Sequence, residues 1–264
     1  MDQLQLDALH RWFDGYVHDF YDIDSEGLRN ILLKVEHTRK VCEVMGELSV
    51  GEGLSPGDAR IATAVALLHD VGRFPQYWRW RTFRDSDSDN HARLSVEVTR
   101  EQDLLAGLAD TERILIEEAV RFHNLLKIPL RLKSPTTLFL RLIRDADKLD
   151  IWRVFLEHFR QPVSERASAV TLGFPELPQV LPECVAALAA GTVVTLDTLH
   201  CLNDFRLLLI SWVYDLNFCS SYRLLRERDY VPALAAMLPD SIGVRAAVAV
   251  TLDVIERKAG RVSA

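Results

Sequence analysis

Apolar residues recur at helical spacing along almost the whole chain, and no stretch shows the alternation of a half-buried strand. Leu6 to Tyr21 predicts an amphipathic helix. Leu28 to Leu48 predicts a second, with Leu28, Ile31, Leu32, Val35, Cys42 and Met45 on one face. His37 shares an adjoining face with Leu33, Val41 and Val44, so it points toward the core or its edge. Gly51 and Gly53 mark a loop. Ser55-Pro56-Gly57-Asp58 then reads as an N-cap, a proline at the first helical position and an acid in the first turn. The helix it opens, ARIATAVALLHDVG from Ala59 to Gly72, is apolar on every side, which predicts a buried helix. It nevertheless ends in His69-Asp70, where an unpaired buried polar group costs roughly 2–7 kcal/mol. Gly72 reads as a left-handed exit. The carbonyls at such an end favour a cation, which makes the pair candidate metal ligands. A capping Asp beside a core His is the plainer alternative.

From Phe74 to Asn90 the helical pattern breaks into Pro75, alternating aromatics and arginines (Arg79, Arg81, Arg84), then an Asp/Ser run. That predicts a long loop, either packed on the body by its aromatics or covering a substrate. Helical spacing resumes from His91 to about Leu105, and from about Asp110 to Phe122, which leaves His123 at a C-terminal end. Ser134-Pro135 opens a further helix carrying Leu138, Phe139, Leu142, Ile143, Ala146, Leu149 and Phe155. Asp147 lies on the stripe of Leu140, Ile143, Ile151 and Val154, and a carboxylate there is rarely left unpaired. Asp145 and Asp150 are rivals that periodicity does not separate from it. Pro162, Pro175, Pro178 and Pro182 predict a joint, followed by helices over about Pro182–Ala190, Leu196–Glu227 and Ser241–Lys258. The expected fold class is all-α: a helical core over residues 1–160 and a C-terminal helical extension over residues 161–264, in the same globular unit. Tyr214-Asp215-Leu216-Asn217, on an otherwise apolar stretch, reads as a buried network or as part of a site mouth.

Composition narrows the function. A chain of 264 residues with 48% apolar content can bury a large core. A net charge of −7 argues against a nucleic-acid polymer or an anionic membrane as partner, though not against a local basic pocket. The four cysteines show no CxxC pattern and read as free thiols of a reducing cytoplasm. Asp2 and Asp7 stand where a signal peptide would be basic, and no segment approaches ~20 uninterrupted apolar residues. The expected location is cytoplasmic.

Taken in order, the polar residues at helix positions are His37, His69-Asp70, His91, His123 and Asp147. This order, with HDVGRF (His69–Phe74), NHARLSVEV (Asn90–Val98), RFHN (Arg121–Asn124) and RDADKLD (Arg144–Asp150), resembles the HD-domain superfamily of metal-dependent phosphohydrolases. The resemblance spans about residues 28–155. It implies an HD-type helical bundle; the C-terminal helices lie outside the resemblance, and their apolar stripe (Leu202, Phe205, Leu208, Leu209, Trp212, Val213, Leu216) reads as packing on that core. His37, His69, Asp70 and Asp147 would hold one divalent ion, and His91 and His123 a second, with Asp70 bridging. Mn, Fe, Co, Ni or Zn suits such a donor set. It implies hydrolysis of a phosphate ester, a nucleotide or small phosphorylated metabolite, by a metal-bound hydroxide, with Asp70, His91 and His123 at the chemistry.

Arg73 replaces the Lys common after HDxG in many members, and Lys148 follows Asp147. Each either binds substrate phosphate or forms a structural ion pair. Arg79 and Arg81 are further substrate-binding candidates. The Gly-Tyr-Pro sequence of cyclic-di-nucleotide phosphodiesterases is absent near His123. Two alternatives stay open: an HD-type di-iron oxygenase, of which myo-inositol oxygenase is an example, and a non-catalytic ligand-binding or signalling HD protein. A homodimer is compatible with the sequence.

Overall fold

The structure, a computed structural model, describes residues 1–260. Among these residues it is helical throughout, with no strand. The helices divide between two compact units: Met1–Asp150 with Pro162–Ala169, and Ile151–Gln161 with the chain from Val170 onward.

The first unit is built around the buried helix. Helix α1 (Gln3–His18) buries Leu6, Leu9, Phe13 and Val17, one per turn. Helix α2 (Ser25–Gly51) is capped by Asp24, and α3 (Pro56–Leu68) by Ser55, whose side chain accepts from the Asp58 N–H. In α3 the residues Ile61, Ala62 and Ala64 to Leu68 are all buried, as apolar character on every side requires. Helices α1 and α2 pack on it, together with α5 (His91–Glu101) and α6 (Asp110–Phe122). Helix α7 (Thr136–Arg160) gives its first turns, as far as Asp150, to this unit. Ser168 and Ala169 return to it through Asn30, whose Nδ2 donates to Ser168 Oγ at 3.1 Å and whose Oδ1 accepts from Ala169 N at 3.1 Å.

Two expectations for this unit are corrected. The stretch after Gly72 is not a long loop: Arg73–Trp80 is a helix, α4, followed by a short 3-10 turn at Asp85–Asp87. Pro75 is tolerated because it lies in the first turn, where backbone N–H groups have no intrahelical partner. Phe74, Tyr77 and Phe83 are buried while Trp78 and Trp80 are exposed, so the aromatics alternate between core and surface. Gly72 is not a left-handed exit either; its φ is −68°. Glycine is required there by close approach, since a Cβ would meet Ser95 N at 2.4 Å and His91 O at 2.5 Å.

In the second unit, α8 (Pro182–Ala189), α9 (Leu202–Ser211), α10 (Cys219–Glu227), α11 (Tyr230–Ala235) and α12 (Ile242–Ala259) follow the end of α7. The single helix expected over Leu196–Glu227 is broken. The Asp204 carboxylate accepts from the N–H groups of Leu181, His200 and Cys201, and this cap starts α9 at Leu202. Beyond Ser211 the chain tightens into a 3-10 turn, Trp212–Asp215, and extends at Leu216. Tyr214 belongs to a network of this unit, with its hydroxyl 2.8 Å from both Leu188 O and Thr251 Oγ1. No helix of the described residues is long and apolar enough to cross a membrane.

Gly72→Ala is expected to destabilise the protein by about 1–3 kcal/mol or more, because the added methyl meets backbone and cannot be accommodated by a rotamer change. Gly57→Ala, whose Cβ has only Ser55 Oγ at 3.8 Å near it, is the matched control. Thermal unfolding of the two variants distinguishes close packing from a general glycine effect; equal stability would contradict it.

Candidate metal centre

Five helices of the first unit deliver the polar side chains to one place. Helix α2 carries His37 on its inner face. Helix α3 ends at His69-Asp70, α5 starts at His91 behind its N-cap Asn90, and α6 ends at His123. Helix α7 brings Asp147 and Asp150. Ser95 ties α5 to the His-Asp turn, donating to His69 O at 2.8 Å and accepting from Gly72 N at 2.9 Å.

The six residues singled out in the sequence all meet. Three groups have ligand atoms within 4.8 Å of one another: His37, His69 and Asp70; His69, His123 and Asp147; and Asp70, His91 and His123. Asp70 faces both ways. Its Oδ2 lies 3.6 Å from His69 Nε2 and 3.7 Å from His37 Nε2, while its Oδ1 lies 3.5 Å from His91 Nε2. Asp147 Oδ1 lies 3.1 Å from His37 Nε2. Asp150 takes a different place, behind His37, and Asp145 is in none of the three groups.

The hydrogen bonds on the far side of each imidazole decide what the near side offers. His37 Nδ1 meets Asp150 Oδ2 at 2.7 Å, His69 Nδ1 meets Ala66 O at 2.7 Å, His91 Nδ1 meets Asp85 Oδ2 at 2.7 Å, and His123 Nδ1 meets Val120 O at 2.7 Å. Carbonyls and carboxylates only accept, so every Nδ1 carries the hydrogen, and each ring, when neutral, presents an Nε2 lone pair to the centre. His37 Nε2 and His69 Nε2 are buried without a hydrogen-bond partner. His91 Nε2 and His123 Nε2 stand 3.1 Å apart, and with both Nδ1 atoms protonated neither neutral ring has a hydrogen to share. Converging lone pairs beside two carboxylates need a cation, and rings held through Nδ1 are the usual arrangement of metal-ligating histidine. The donor set therefore fits one or two divalent ions.

Charge is distributed to keep the carboxylates ionised. Burial opposes the charge on Asp70, but Lys34, His69 and Arg73 outweigh it and hold the carboxyl well below its ordinary value of 3.8. Lys34 Nζ is 2.8 Å from Asp70 Oδ2, and Arg73 Nε is 3.5 Å from Oδ1. Asp147 is likewise held low, by His37 and His69 against burial. Burial pushes His69 below its ordinary value; with the Arg73 charge it pushes His91 down to about 4, and with the His69 charge His123 to about 4. His37 goes the other way: Asp147 and Asp150 outweigh burial and Lys34 and raise it. An ion binding at His37 competes with a proton that Asp147, 3.1 Å from Nε2, favours there.

The candidate substrate-binding residues are placed unevenly. Arg73 lies at the centre but is fixed, donating through NH1 to Gln76 Oε1 at 2.9 Å, to Phe83 O at 2.5 Å and to Asp85 Oδ1 at 3.0 Å. Lys148 is buried on α7, and its Nζ donates to Arg144 O at 3.4 Å. Arg81 pairs with Asp24 at 2.6 Å, and Arg79 lies over the Trp80 ring at 5.9 Å, so both are engaged away from the six. Lys34 and Asp85 went unnoticed in the sequence. Lys34 had a signal, since it stands one helical turn before His37. Asp85 had none, because it lies in an aperiodic polar run.

Two outcomes follow for the metal-free protein. The folded pKa values of His91 and His123 lie near 4, below the ordinary 6.5. Between those pH values the unfolded chain takes up protons that the folded one refuses, so stability falls as pH drops through that window. The depressed carboxylates lose their contribution only at lower pH, and the raised His37 loses its own on the alkaline side. Thermal unfolding of chelator-treated protein is expected at lower temperature at pH 5 than at pH 7.5; a flat profile contradicts the buried neutral rings. Asp85→Ala, which frees the His91 ring, is expected to weaken the more weakly held ion by roughly 10–100-fold, measured by calorimetric titration. Unchanged affinity would remove Asp85 from the centre.

The same region is matched by a family of known proteins. The family model described as HD domain covers residues 35–152. No curated protein and no solved structure matches the chain. That stretch begins two residues before His37, ends two residues after Asp150, and encloses all six residues of the cluster. Residues 35–152 of this chain match the HD-domain family model, which is consistent with the HD-domain superfamily of metal-dependent phosphohydrolases.

Proposed function

We propose that this chain hydrolyses a phosphate ester of a small molecule, a nucleotide or phosphorylated metabolite. Two divalent ions would be held by His37, His69, Asp70, His91, His123 and Asp147. The observation that carries the reading is the set of four imidazoles, each fixed through Nδ1 and each turning Nε2 toward Asp70 or Asp147. Such ions, of the Mn, Fe, Co, Ni or Zn class, bring a coordinated water toward neutral pKa and offset charge on phosphoryl oxygens.

The side chains supply the rest. Asp70 has one oxygen toward His37 and His69 and the other toward His91, which suits it to serve both ions at once. Asp150 and Asp85 keep the rings of His37 and His91 turned inward. Arg73, tied to Gln76 and Asp85, holds Asp70 ionised and adds a fixed positive charge beside a site for an anionic substrate. The reading asks for no serine or cysteine nucleophile, and all four cysteines are free thiols outside the cluster, which also agrees with a reducing cytoplasm.

Metal-loaded protein is expected to release nitrophenol from p-nitrophenyl phosphate or its bis ester. Asp70→Asn is expected to lower kcat/KM by at least about 100-fold while the helical circular dichroism is kept. Undiminished turnover by that variant, or substrate-dependent oxygen uptake by the iron-loaded protein without ester cleavage, contradicts the proposal.

A further inference from the structure

The HD-type motifs leave out one cation that the structure places at the centre. Lys34 lies on α2 one helical turn before His37, so both side chains leave the same face of the helix. Its ammonium donates to Asp70 Oδ2 at 2.8 Å, the oxygen that faces His37 and His69. The ammonium also lies 5.5 Å from the centre of the Phe83 ring. Lys34 is not sealed in. Its side chain is 15% exposed and that of Asp147 is 21% exposed, whereas those of His37, His69, Asp70 and His91 are at most 6% exposed. Lys34 and Asp147 are thus among the groups through which the cluster reaches solvent, as are Arg73 at 14% and Asp85 at 30%.

We propose that Lys34 is a substrate-binding residue, which exchanges its ion pair with Asp70 for the phosphoryl group of the substrate once the divalent ions are in place. The inference rests on the phosphohydrolase reading above and assigns the substrate contact within it. The physical reason is competition for one carboxylate. In the metal-free protein Asp70 Oδ2 neutralises Lys34. An ion held by His37, His69 and Asp70 would draw on the same oxygen, and Lys34 would then keep its ammonium there with its counter-charge reduced. A phosphate oxygen arriving from solvent would restore that charge. Lysine suits this exchange because its ammonium is a compact charge on a flexible stem. Arg73 does not suit it, because its guanidinium is held by Gln76, the Phe83 carbonyl and Asp85.

The exchange separates Lys34 from the metal ligands experimentally. The variants are Lys34→Met, which keeps the stem and removes the charge, and Lys34→Arg. Binding of Mn²⁺ to chelator-stripped protein, then of inorganic phosphate to the Mn²⁺-loaded protein, is followed by calorimetry. Lys34→Met is expected to bind Mn²⁺ with the wild-type stoichiometry and at least the wild-type affinity, since a competing cation is gone. Its affinity for phosphate is expected to fall roughly 10–100-fold, with a matching rise in KM for p-nitrophenyl phosphate, and Lys34→Arg to recover part of the loss. Lys34→Met binding phosphate as tightly as the wild type, while the wild type hydrolyses the ester, overturns the role of Lys34 alone. Loss of Mn²⁺ binding in Lys34→Met makes the lysine a support of the metal site and overturns it too. A loaded wild type that neither binds phosphate nor cleaves the ester overturns the phosphohydrolase reading and this inference together.

Discussion

Four buried imidazoles whose Nδ1 hydrogens are all committed outward constrain everything else at the centre. A buried neutral histidine is tolerable when its N–H has an acceptor, and here Asp150, Ala66 O, Asp85 and Val120 O supply the four. Once those bonds are made, the four Nε2 atoms point inward, and burial keeps His91 and His123 from relieving the crowding by protonation. Two carboxylates at the same place add negative charge. The arrangement is stable as a receptor for cations and poor as an apolar core.

The fold exists to hold that geometry. Two of the rings, His69 and His123, are C-caps of α3 and α6, and each bonds the carbonyl three residues back, so the helix end itself sets the ring direction. Gly72 lets the His-Asp turn approach the start of α5 closely enough for Ser95 to bridge them. Around Asp70, Lys34 and Arg73 stand on opposite oxygens, and only Arg73 is pinned in place by Gln76, Phe83 O and Asp85. The two cations differ in freedom, and that difference separates a substrate contact from a structural one.

Periodicity placed His37 and His69-Asp70 at buried positions, but the set of six came from its order along the chain, which resembles the HD-domain pattern; period alone did not separate Asp147 from Asp145 or Asp150. The all-α class, by contrast, was legible from period alone. The cap at Ser55-Pro56 and the extent of Asp110–Phe122 followed from local chemistry that tertiary structure does not override. Less was readable where several backbone choices compete. Helix α4 was hidden by Pro75, which breaks a helix only beyond its first turn. The interruption at Trp212–Asp215 was hidden by an unbroken apolar stripe. Choosing Asp147 over Asp150 depended on which carboxylate lies in front of His37 and which behind it, and the two are only three residues apart on α7. Asp85 could not be found at all, since its position comes from a turn without period.

The central claim is that these lone pairs and carboxylates form a receptor for divalent ions. Its most direct test is titration of chelator-stripped protein with Zn²⁺ or Mn²⁺ at neutral pH, with bound ions and released protons counted together. The account predicts saturation near two ions per chain, with proton release accompanying binding as the ions compete with protons for the ligand atoms. Saturation below one ion, or binding that persists when His69 and His123 are both replaced by alanine, would contradict it.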